Sequence, residues 1–551
     1  MSKLVVYDTN ANSWVTDDSK EINRGGEARI LPTTNNKVLK LYFDKSQAIS
    51  QQKISELSSL DSNLFVKPEL AIVRPETGFV MQELDSAEYY PLYSLFSGSF
   101  IKKRNLPNDF KNKISDKLII AVKNAHDNNI VIGDLNPFNI MVNDNLDVKF
   151  IDVDSYQTST CKHNDKLLED IRDYYYGGKV SKESDYFALS VIIFNLLTGI
   201  HPYKGFHNTY GNVLKDRMIH NLSIISNEAN NIKIPKFYQP ISDKNLLSEF
   251  EDIFNKNERF LIDLKGVKIQ TVSFDGITIS NDLIITTVYS GTIKQVISSK
   301  SYICVTTDTS HVIFKSLAKG VVQPFLTLNN DVHIILTDKY IYGYKDGTLK
   351  YYNEKSSQFV EIDGLSFNDV YLIKQYENIL LVLTKNDLAY KIDLDVLYGN
   401  SVQYSTFESY YKSFKKYNSV VQRIGDTNYI FYNNGKDLNQ IVYPSIIKDV
   451  IQVDNVGIVS KVENNQIVYE LFSIDKFGKV KRNVIDANYP FTANKDFIIL
   501  YKDDGIHFLA KDTLMEVVSF GVTGLDMAEF INSTAGIIAY TDKEVKILNR
   551  K

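Results

Sequence analysis

Residues 125–155 read AHDNNIVIGDLNPFNIMVNDNLDVKFIDVDS, and this stretch decides the fold of the first half of the chain. It places an aspartate, Asp134, five residues before an asparagine, Asn139. A second aspartate, Asp152, follows Asn139 by thirteen residues and comes directly after a short apolar run. The full spacing, with apolar residues between these three side chains, indicates a chemical site.

The spacing has a physical reason, because segments 139–143 and 147–151 both predict short strands joined by a tight turn. A β-hairpin of this kind would return Asp152 to the side of Asn139. Mg²⁺ takes oxygen ligands, few of them from protein. A carboxylate that accepts a hydroxyl proton, with an amide and a carboxylate that hold Mg²⁺, is what phosphoryl transfer from ATP needs. The alternative is an ordinary hairpin with solvated Asp and Asn side chains in its turns.

The composition predicts a water-soluble protein of two or three domains, since 551 residues exceed one compact core. The net charge of −5 argues against general nucleic-acid binding. The two cysteines, Cys161 and Cys304, exclude a disulfide scaffold and fit a reducing compartment. The amino terminus has no apolar signal core, and the longest apolar run, 187–197, is too short to span a bilayer. We therefore expect a cytoplasmic protein that contacts no membrane. The heavy use of Asn, Ile, Lys and Tyr is typical of a low-GC bacterium or its phage.

The chain changes character after about residue 264. Before that point, helical patterns occur at 114–126, 184–198 and 246–262. After it, short β-rich runs separated by polar turns recur at roughly 40 residues, close to the period of four-stranded propeller blades. Residues 265–551 therefore predict an all-β domain, a β-propeller of six or seven blades. Two β-sandwich domains are the alternative.

Three segments extend the pattern of the opening stretch. GDLNPFN (133–139), IDVDS (151–155) and SDYFALSVIIFNLLTGIHPYKG (184–205) resemble the catalytic loop, the metal-binding strand and the loop-anchoring helix of the protein-kinase superfamily. The GDLNxxN and IDxDS forms are similar to bacterial and phage kinase-like proteins that occur with PP2C-type phosphatases. The resemblance covers most of residues 1–262.

This resemblance implies a multidomain chain that begins with an α+β, two-lobed protein-kinase-like fold in residues 1–264. Its N-lobe would cover about 1–84 and its C-lobe about 85–264, followed by the all-β domain. ATP and Mg²⁺ are the implied cofactors.

In the N-lobe, the resemblance implies that Gly25 and Gly26 lie in a shortened loop over the phosphates, although no G-x-G-x-x-G occurs. Lys40 would contact the α and β phosphates, with Glu56 as its ion-pair partner. The cofactor-binding set of the hinge would be Met81 behind the adenine, with the backbone of Gln82, Glu83 and Leu84 along its edge.

In the C-lobe, the resemblance implies that Asp134 is the catalytic base and that Asn139 and Asp152 bind the metal. Gly133 replaces the arginine that many kinases carry before this aspartate, so we expect activity without phosphorylation of the activation loop. Asn136 replaces a lysine that stabilises the transferring phosphate, which puts protein phosphorylation in doubt.

Three further residues receive expected roles. Asp154 is expected to be either a second metal ligand or a turn residue. Asp185 is expected to accept hydrogen bonds from the catalytic-loop backbone. Arg259 matches a late arginine that closes the lower lobe, but its partner is left open, because no Pro-Glu occurs where one is usual.

The favoured function is a Mg²⁺- and ATP-dependent protein kinase of the serine/threonine type, whose β domain binds a protein substrate or partner, with a PP2C-type phosphatase as one such partner. A pseudokinase scaffold that binds nucleotide or partners without phosphoryl transfer is the alternative. A small-molecule kinase is a third hypothesis, because GDL also begins the loop of aminoglycoside phosphotransferases. The 184–205 segment argues against it.

Overall fold

The computed structural model describes residues 3–550 with gaps at 34–35, 87, 98–99, 102–103, 105, 108, 163–166, 212, 227–230, 235–237, 265–277, 280–282, 319, 418, 436, 445, 503–504, 524–528 and 534–535. The chain divides into two compact units. The first comprises Met1–Ser273, Arg423–Asp426 and Val462–Ile467, and the second comprises the rest. The expected boundary between residues 264 and 265 falls at a gap, outside the described residues.

The first unit opens with an antiparallel sheet. Its strands are β1 Lys3–Asp8, β2 Ser13–Asp17, β3 Asn23–Arg24, β4 Ala28–Pro32, β5 Lys37–Tyr42, β6 Pro68–Arg74 and β7 Gly78–Gln82. Across the described residues they pair in the order β2-β1-β6-β7-β5-β4-β3.

The side chains of strand β5 alternate between the two faces of this sheet, and this alternation decides the face on which Lys40 lies. Leu39 and Leu41 pack in one apolar cluster, whereas Tyr42 packs in another on the opposite face. Lys40 shares the face of Tyr42 because side chains two residues apart point the same way. Helix α1, Gln51–Leu57, contributes Ile54 to the cluster around Tyr42, so Lys40 lies on the helix side of the sheet.

The rest of the first unit is largely helical. Its helices are α2 Phe110–Asp127, α3 Lys182–Thr198, α4 Leu214–Ile219 and α5 Lys244–Asn255, and its short strands are β8 Tyr90–Pro91, β9 Ile140–Val142, β10 Val148–Phe150, β11 Phe206–His207 and β12 Ile232–Lys233. The predicted helices at 114–126 and 184–198 are confirmed. The prediction for 246–262 is wrong at its end, because the left-handed backbone of Asn257, φ 63°, lies beyond a helix that stops at Asn255.

The predicted hairpin is confirmed. Strands β9 and β10 pair antiparallel with Ile140 opposite Phe150, and β8 adds to the other edge of β9. The N–H of Ile151 donates to the carbonyl of Asn139 at 2.9 Å, so the pairing continues one step beyond the strands. The hairpin therefore brings the chain back so that Asp152 directly follows the residue paired with Asn139, as the spacing predicts.

The second unit is all-β. Its strands are β13 Thr278–Ile279, β14 Leu283–Ser290, β15 Gln295–Ser298, β16 Tyr302–Thr306, β17 Ser310–Ala318, β18 Val321–Asn329, β19 His333–Leu336, β20 Ile341–Lys345, β21 Thr348–Asn353, β22 Gln358–Ser366, β23 Val370–Tyr376, β24 Ile379–Thr384, β25 Leu388–Tyr398, β26 Ser401–Glu408, β27 Phe414–Lys416, β28 Val420–Ile424, β29 Thr427–Asn433, β30 Leu438–Tyr443, β31 Ile447–Val453, β32 Val456–Glu463, β33 Gln466–Ile474, β34 Val480–Ile485, β35 Phe491–Ala493, β36 Phe497–Lys502, β37 Gly505–Ala510, β38 Glu516–Phe520, β39 Val522–Thr523, β40 Glu529–Ser533, β41 Gly536–Tyr540 and β42 Glu544–Arg550.

In the described part of this unit, β15 to β38 form six antiparallel sheets of four consecutive strands each. A seventh sheet, in the order β14-β42-β41-β40, combines a strand from the start of the unit with three from its end. A separate two-stranded pairing joins β13 and β39. The regular four-strand repeat explains the period of roughly 40 residues in the sequence.

Neighbouring sheets in this unit share apolar cores. One core joins Ile547 of β42 to Ile303 of β16, so the sheet that holds the last strand packs against the first of the consecutive sheets. Other apolar cores join each of the remaining sheets to the next, with one exception. Between the β23–β26 and β27–β30 sheets, the hydroxyl of Tyr371 donates a hydrogen bond to the carbonyl of Phe414 at 3.3 Å. Over the described residues, no helix of the protein has the length and apolar character needed to cross a bilayer.

Candidate active site

The loop between α2 and β9 holds Asp134 in a network of amide groups. Oδ2 of Asp134 accepts hydrogen bonds from Asn136 Nδ2 at 2.7 Å and from Asn139 Nδ2 at 3.0 Å. Oδ1 of Asn136 in turn accepts from the N–H groups of Phe138 and Asn139. Asn136 therefore fixes the loop and orients the carboxylate of Asp134. This is the residue that stands where the sequence resemblance implies a lysine.

Asp185 anchors this loop from the first turn of α3, as predicted. Its carboxylate accepts from the N–H of Ile132 at 2.8 Å and from the N–H of Gly133 at 2.9 Å. Its Oδ2 also lies 2.9 Å from Nε2 of the buried His126. Asp185 is fully buried, so these hydrogen bonds offset the cost of burying its carboxylate. These hydrogen bonds fix the backbone of the two residues that precede Asp134.

Asp152 follows β10 in a left-handed backbone conformation, φ 61°, that a non-glycine residue seldom adopts. The N–H and the hydroxyl of Ser155 both donate to the carbonyl of Asp152, at 3.1 Å and 2.8 Å, and close this turn. The side chain of Asp152 stays 44% exposed. Its carboxylate is therefore partly accessible to a ligand from solvent.

Lys40 joins the sheet to this turn. Its Nζ lies 2.5 Å from Oδ1 of Asp152, and 2.7 Å and 2.8 Å from the two carboxylate oxygens of Asp154. Burial alone would lower the pKa of Lys40, but the charges of Asp154 and Asp152 raise it above its ordinary value. Lys40 is therefore a permanent cation beside the metal-binding candidate.

The expected ion pair between Lys40 and Glu56 is corrected by the structure. Glu56 accepts hydrogen bonds from the hydroxyls of Ser159 at 2.7 Å and Thr160 at 2.9 Å instead. The buried face of α1 consists of Lys53, Ile54 and Leu57, and Glu56 lies beside it. Glu56 thus lies in helix α1 but one position away from the buried face of that helix.

The glycine candidates lie in the turn next to the edge strand β3, and the hinge candidates lie at the end of the inner strand β7 of the same sheet. Gly25 and Gly26 form the turn between β3 and β4, where Gly25 N–H donates to the carbonyl of Ala28 at 2.8 Å. Met81 ends the apolar face of β7 beside the cluster around Tyr42. The N–H of Glu83 donates to the carbonyl of Asn36 at 2.9 Å, which engages one of the hinge donors, and Leu84 follows it half-buried. Nucleotide binding by these residues stays a prediction.

The structure adds contacts that sequence reasoning missed. Asp154 accepts from the Tyr42 hydroxyl at 2.7 Å, and its backbone carbonyl accepts from Nζ of Lys53 at 2.7 Å. Asp173 proves to be the partner of Arg259, with Nε–Oδ2 at 2.6 Å and both side chains buried. These pairs join residues 86 to 112 positions apart, which local spacing does not reveal.

The donor set fits a magnesium ion bound together with phosphate. In the described part of the chain, no three His, Cys, Asp or Glu side chains stand close enough to hold a metal by themselves. Asn139 donates from its Nδ2 to Asp134, so its amide oxygen is the group that could meet a cation. The backbone hydrogen bond from Ile151 pairs Asn139 with the residue directly before Asp152. Mg²⁺ is commonly held by one or two protein oxygens with water and substrate phosphates, as this set would require.

Comparison with known proteins finds partial matches. No protein-family model matches the chain. The chain is 30% identical over 99 residues to the serine/threonine-protein kinase PrkC of Bacillus subtilis (strain 168), which covers 17% of this chain and 15% of that protein. It is 23% identical over 232 residues to the protein kinase YegI of Escherichia coli (strain K12), which covers 37% of this chain and 35% of that protein. The chain thus matches about a third or less of the length of these curated relatives, and the matches support a kinase-like relationship.

Proposed function

We propose that the first unit is an ATP- and Mg²⁺-dependent protein kinase of the serine/threonine type. The observation that carries the proposal is the cation Lys40 bound to Asp152, which follows Asn139 through a hairpin, while Asn139 is bonded to Asp134. One basic group, one candidate base and two candidate metal ligands are thus linked by two direct contacts and by the hairpin that joins them. The partial matches to two bacterial protein kinases support the same conclusion.

In the proposed reaction, a serine or threonine hydroxyl oxygen bonds to the γ-phosphorus of ATP, and the bond from that phosphorus to the β–γ bridging oxygen breaks. Asp134 takes the hydroxyl proton, and ADP leaves with the bridging oxygen. Lys40 would hold the α and β phosphates. Asp152 and Asn139 would hold Mg²⁺, which when bound neutralises charge on the phosphates.

Measured transfer of radiolabelled γ-phosphate from ATP, to the protein itself and to a serine- and threonine-rich acceptor, tests the proposal. We expect Asp134→Asn to slow transfer by about 100-fold or more, the usual contribution of a catalytic base. Asp152→Ala should remove the Mg²⁺-dependent part of the thermal shift caused by ATP. Asp127→Asn, which changes an exposed carboxylate paired with Lys123 at the end of α2, is the control and should leave both unchanged.

A pseudokinase scaffold is the second candidate, favoured by a specific observation. Asn136 stands where a catalytic lysine is usual, and its side chain makes hydrogen bonds within the loop itself. In that case the wild-type protein would show the Mg²⁺-dependent shift with ATP but would transfer no phosphate to any protein. The same pair of measurements therefore separates the two candidates.

For the second unit, we propose a seven-bladed β-propeller that binds a protein partner or substrate. The four-strand sheets in chain order, and the sheet that joins β14 to the last three strands, support this architecture over two β-sandwiches. The partner role rests on fold analogy, and a PP2C-type phosphatase is the partner we would test first, by co-purification with the full-length chain. A cytoplasmic location is part of the same proposal.

A further inference from the structure

We propose that Asp154 is the positioning residue that holds Lys40 in the phosphate-binding geometry, in the place of a carboxylate from helix α1. This inference rests on the proposed function, because it names how that site sets its phosphate-binding cation. It assigns the fourth residue of the I-D-V-D-S stretch a role distinct from that of the second.

Asp154 binds Lys40 through both of its carboxylate oxygens, in a part of the site that is shielded from solvent. Both carboxylate oxygens of Asp154 lie within 2.8 Å of Lys40 Nζ, and the side chains are 8% and 14% exposed. Hydrogen bonds between ionised groups are the strong ones, and partial burial strengthens them further. Asp152 offers Lys40 a single oxygen from a side chain that is 44% exposed. Asp154 is therefore the principal counter-charge of Lys40.

Asp154 is itself fixed by two other elements. The hydroxyl of Tyr42, two residues along β5 from Lys40, donates to Oδ2 of Asp154 at 2.7 Å. Nζ of Lys53, from the buried face of α1, donates to the backbone carbonyl of Asp154 at 2.7 Å. Helix α1 thus presents a cation to the site and binds the backbone of the turn, while the turn supplies the carboxylate.

This arrangement argues against Asp154 as a metal ligand. Its two carboxylate oxygens are already engaged by Lys40 and Tyr42, and its side chain is almost fully buried. Asp152 is the exposed carboxylate of the two. The two carboxylates therefore have different roles, in which Asp152 faces the ligand and Asp154 binds Lys40.

Four variants of the whole chain, two of them with Lys40→Met, test the inference, with kcat, the KM for ATP and the Mg-ATP thermal shift as readouts. We expect Asp154→Asn to lower kcat/KM for ATP by about 30-fold or more, because the loss of a charge partner frees Lys40 from its position. Glu56→Gln is the control, and should change kcat/KM by less than about threefold, since Glu56 does not contact Lys40. Glu56→Gln losing as much as Asp154→Asn would overturn the inference.

The double variant Lys40→Met/Asp154→Asn separates positioning from a general structural role. If Asp154 acts through Lys40, the double variant should be no slower than Lys40→Met alone, and additive losses would contradict the proposal. Should Asp154→Asn fold poorly, Lys40→Met should restore its stability, because the buried cation that has lost its principal counter-charge is then gone. No restoration would count against the pair.

Wild-type transfer is measured first, so a failure of the proposed function appears there and not in the variants. In that event the affinity for Mg-ATP becomes the readout. The inference then predicts weaker binding in Asp154→Asn and unchanged binding in Glu56→Gln, and equal binding in the two would overturn it.

Discussion

Asp185 shows how one buried carboxylate can set the geometry of a catalytic loop. It accepts from two consecutive backbone N–H groups and lies against His126, with no exposure of its own side chain. Asp185→Ala would leave these donors buried and unpaired, and we expect a loss of about 3 kcal/mol in the free energy of unfolding. Urea denaturation measures it. The exposed Asp127→Ala should cost less than about 0.5 kcal/mol, and a similar cost for both variants would contradict the anchoring role.

His201 makes the stability of the first unit sensitive to acid. Its Nε2–H donates to the carbonyl of Asp170 at 2.7 Å, and its Nδ1 accepts from the N–H of Tyr203 at 3.1 Å, so the fold requires a neutral ring. Burial lowers the pKa of His201 to about 3. The unfolded chain therefore binds more protons than the folded one between pH 3 and 6.5, and stability falls as the pH is lowered through this window.

We expect the contribution of His201 to fall by about 2–3 kcal/mol between pH 7 and pH 4.5, at 1.36 kcal/mol per pKa unit. The comparison is the urea midpoint of the wild type and of His201→Gln at both values. Burial raises the pKa of the nearby Asp170 to about 6, which stabilises the fold on acidification and opposes the effect of His201. His201→Gln should therefore lose less stability than the wild type at pH 4.5, and parallel losses would refute the assignment.

The neighbourhood of a side chain could be predicted from the sequence where it depends on local spacing. Asp134, Asn139 and Asp152 share one loop and one hairpin, so the chain between them fixes their neighbourhood. The partners of Lys40 could not be predicted in this way, because Asp154 lies 114 residues away and reaches Lys40 only through packing of the sheet on the turn. A pattern of spacings carries no information about such a distance.

At the scale of elements, a buried ion pair ties the chain beyond α5 to the segment before α3. Arg259 binds Asp173 through two nitrogens, at 2.6 Å and 3.0 Å, and also donates to the carbonyl of Ile253 at 2.7 Å. The side chains of the pair are 4% and 2% exposed. Asp173 is thus the partner of Arg259 that the sequence analysis left open.

We expect Arg259→Met to cost about 3–5 kcal/mol of unfolding free energy, because Asp173 would stay buried without a counter-charge. Arg259→Met/Asp173→Asn should cost clearly less than the sum of the single variants. Urea titrations of the four proteins give the coupling energy. The exposed pair Lys256–Asp252, one turn apart at the end of α5, is the control, and Lys256→Ala should cost less than about 0.5 kcal/mol. Additive losses at Arg259 and Asp173 would mean that the contact contributes nothing.

Elements were more predictable than their ends. Apolar periodicity locates α2 and α3, because a helix that packs on a core must bury one face or be buried throughout. The end of α5 was missed because Phe260 and Ile262 continue an apolar pattern, whereas the backbone at Asn257 has already left the helical region. Apolar residues beyond that point pack without being helical.

At the scale of the whole molecule, the repeat in the sequence indicated a unit of four strands, but it could not show how the array ends. The structure answers this at β14, which pairs with β42 along Leu283–Ser290. The core around Ile547 and Ile303 then joins that sheet to the first of the consecutive sheets. A strand from the start of the unit is thus held by strands from its end, a pairing that no periodicity encodes.

Removing the last strand tests whether this pairing closes a ring. In an open array each repeat depends only on its neighbours, so deleting residues 544–551 would loosen β14, β40 and β41 and leave distant sheets intact. In a closed propeller the deletion removes Ile547 and exposes the apolar core on both sides of the break, at Ile538 and at Ile303. We therefore expect amide hydrogen exchange to rise throughout the second unit, including the β23–β26 sheet opposite in chain order. Lys546→Ala, which keeps the strand, is the control and should leave exchange unchanged, and a rise confined to the deleted sheet would argue for an open array.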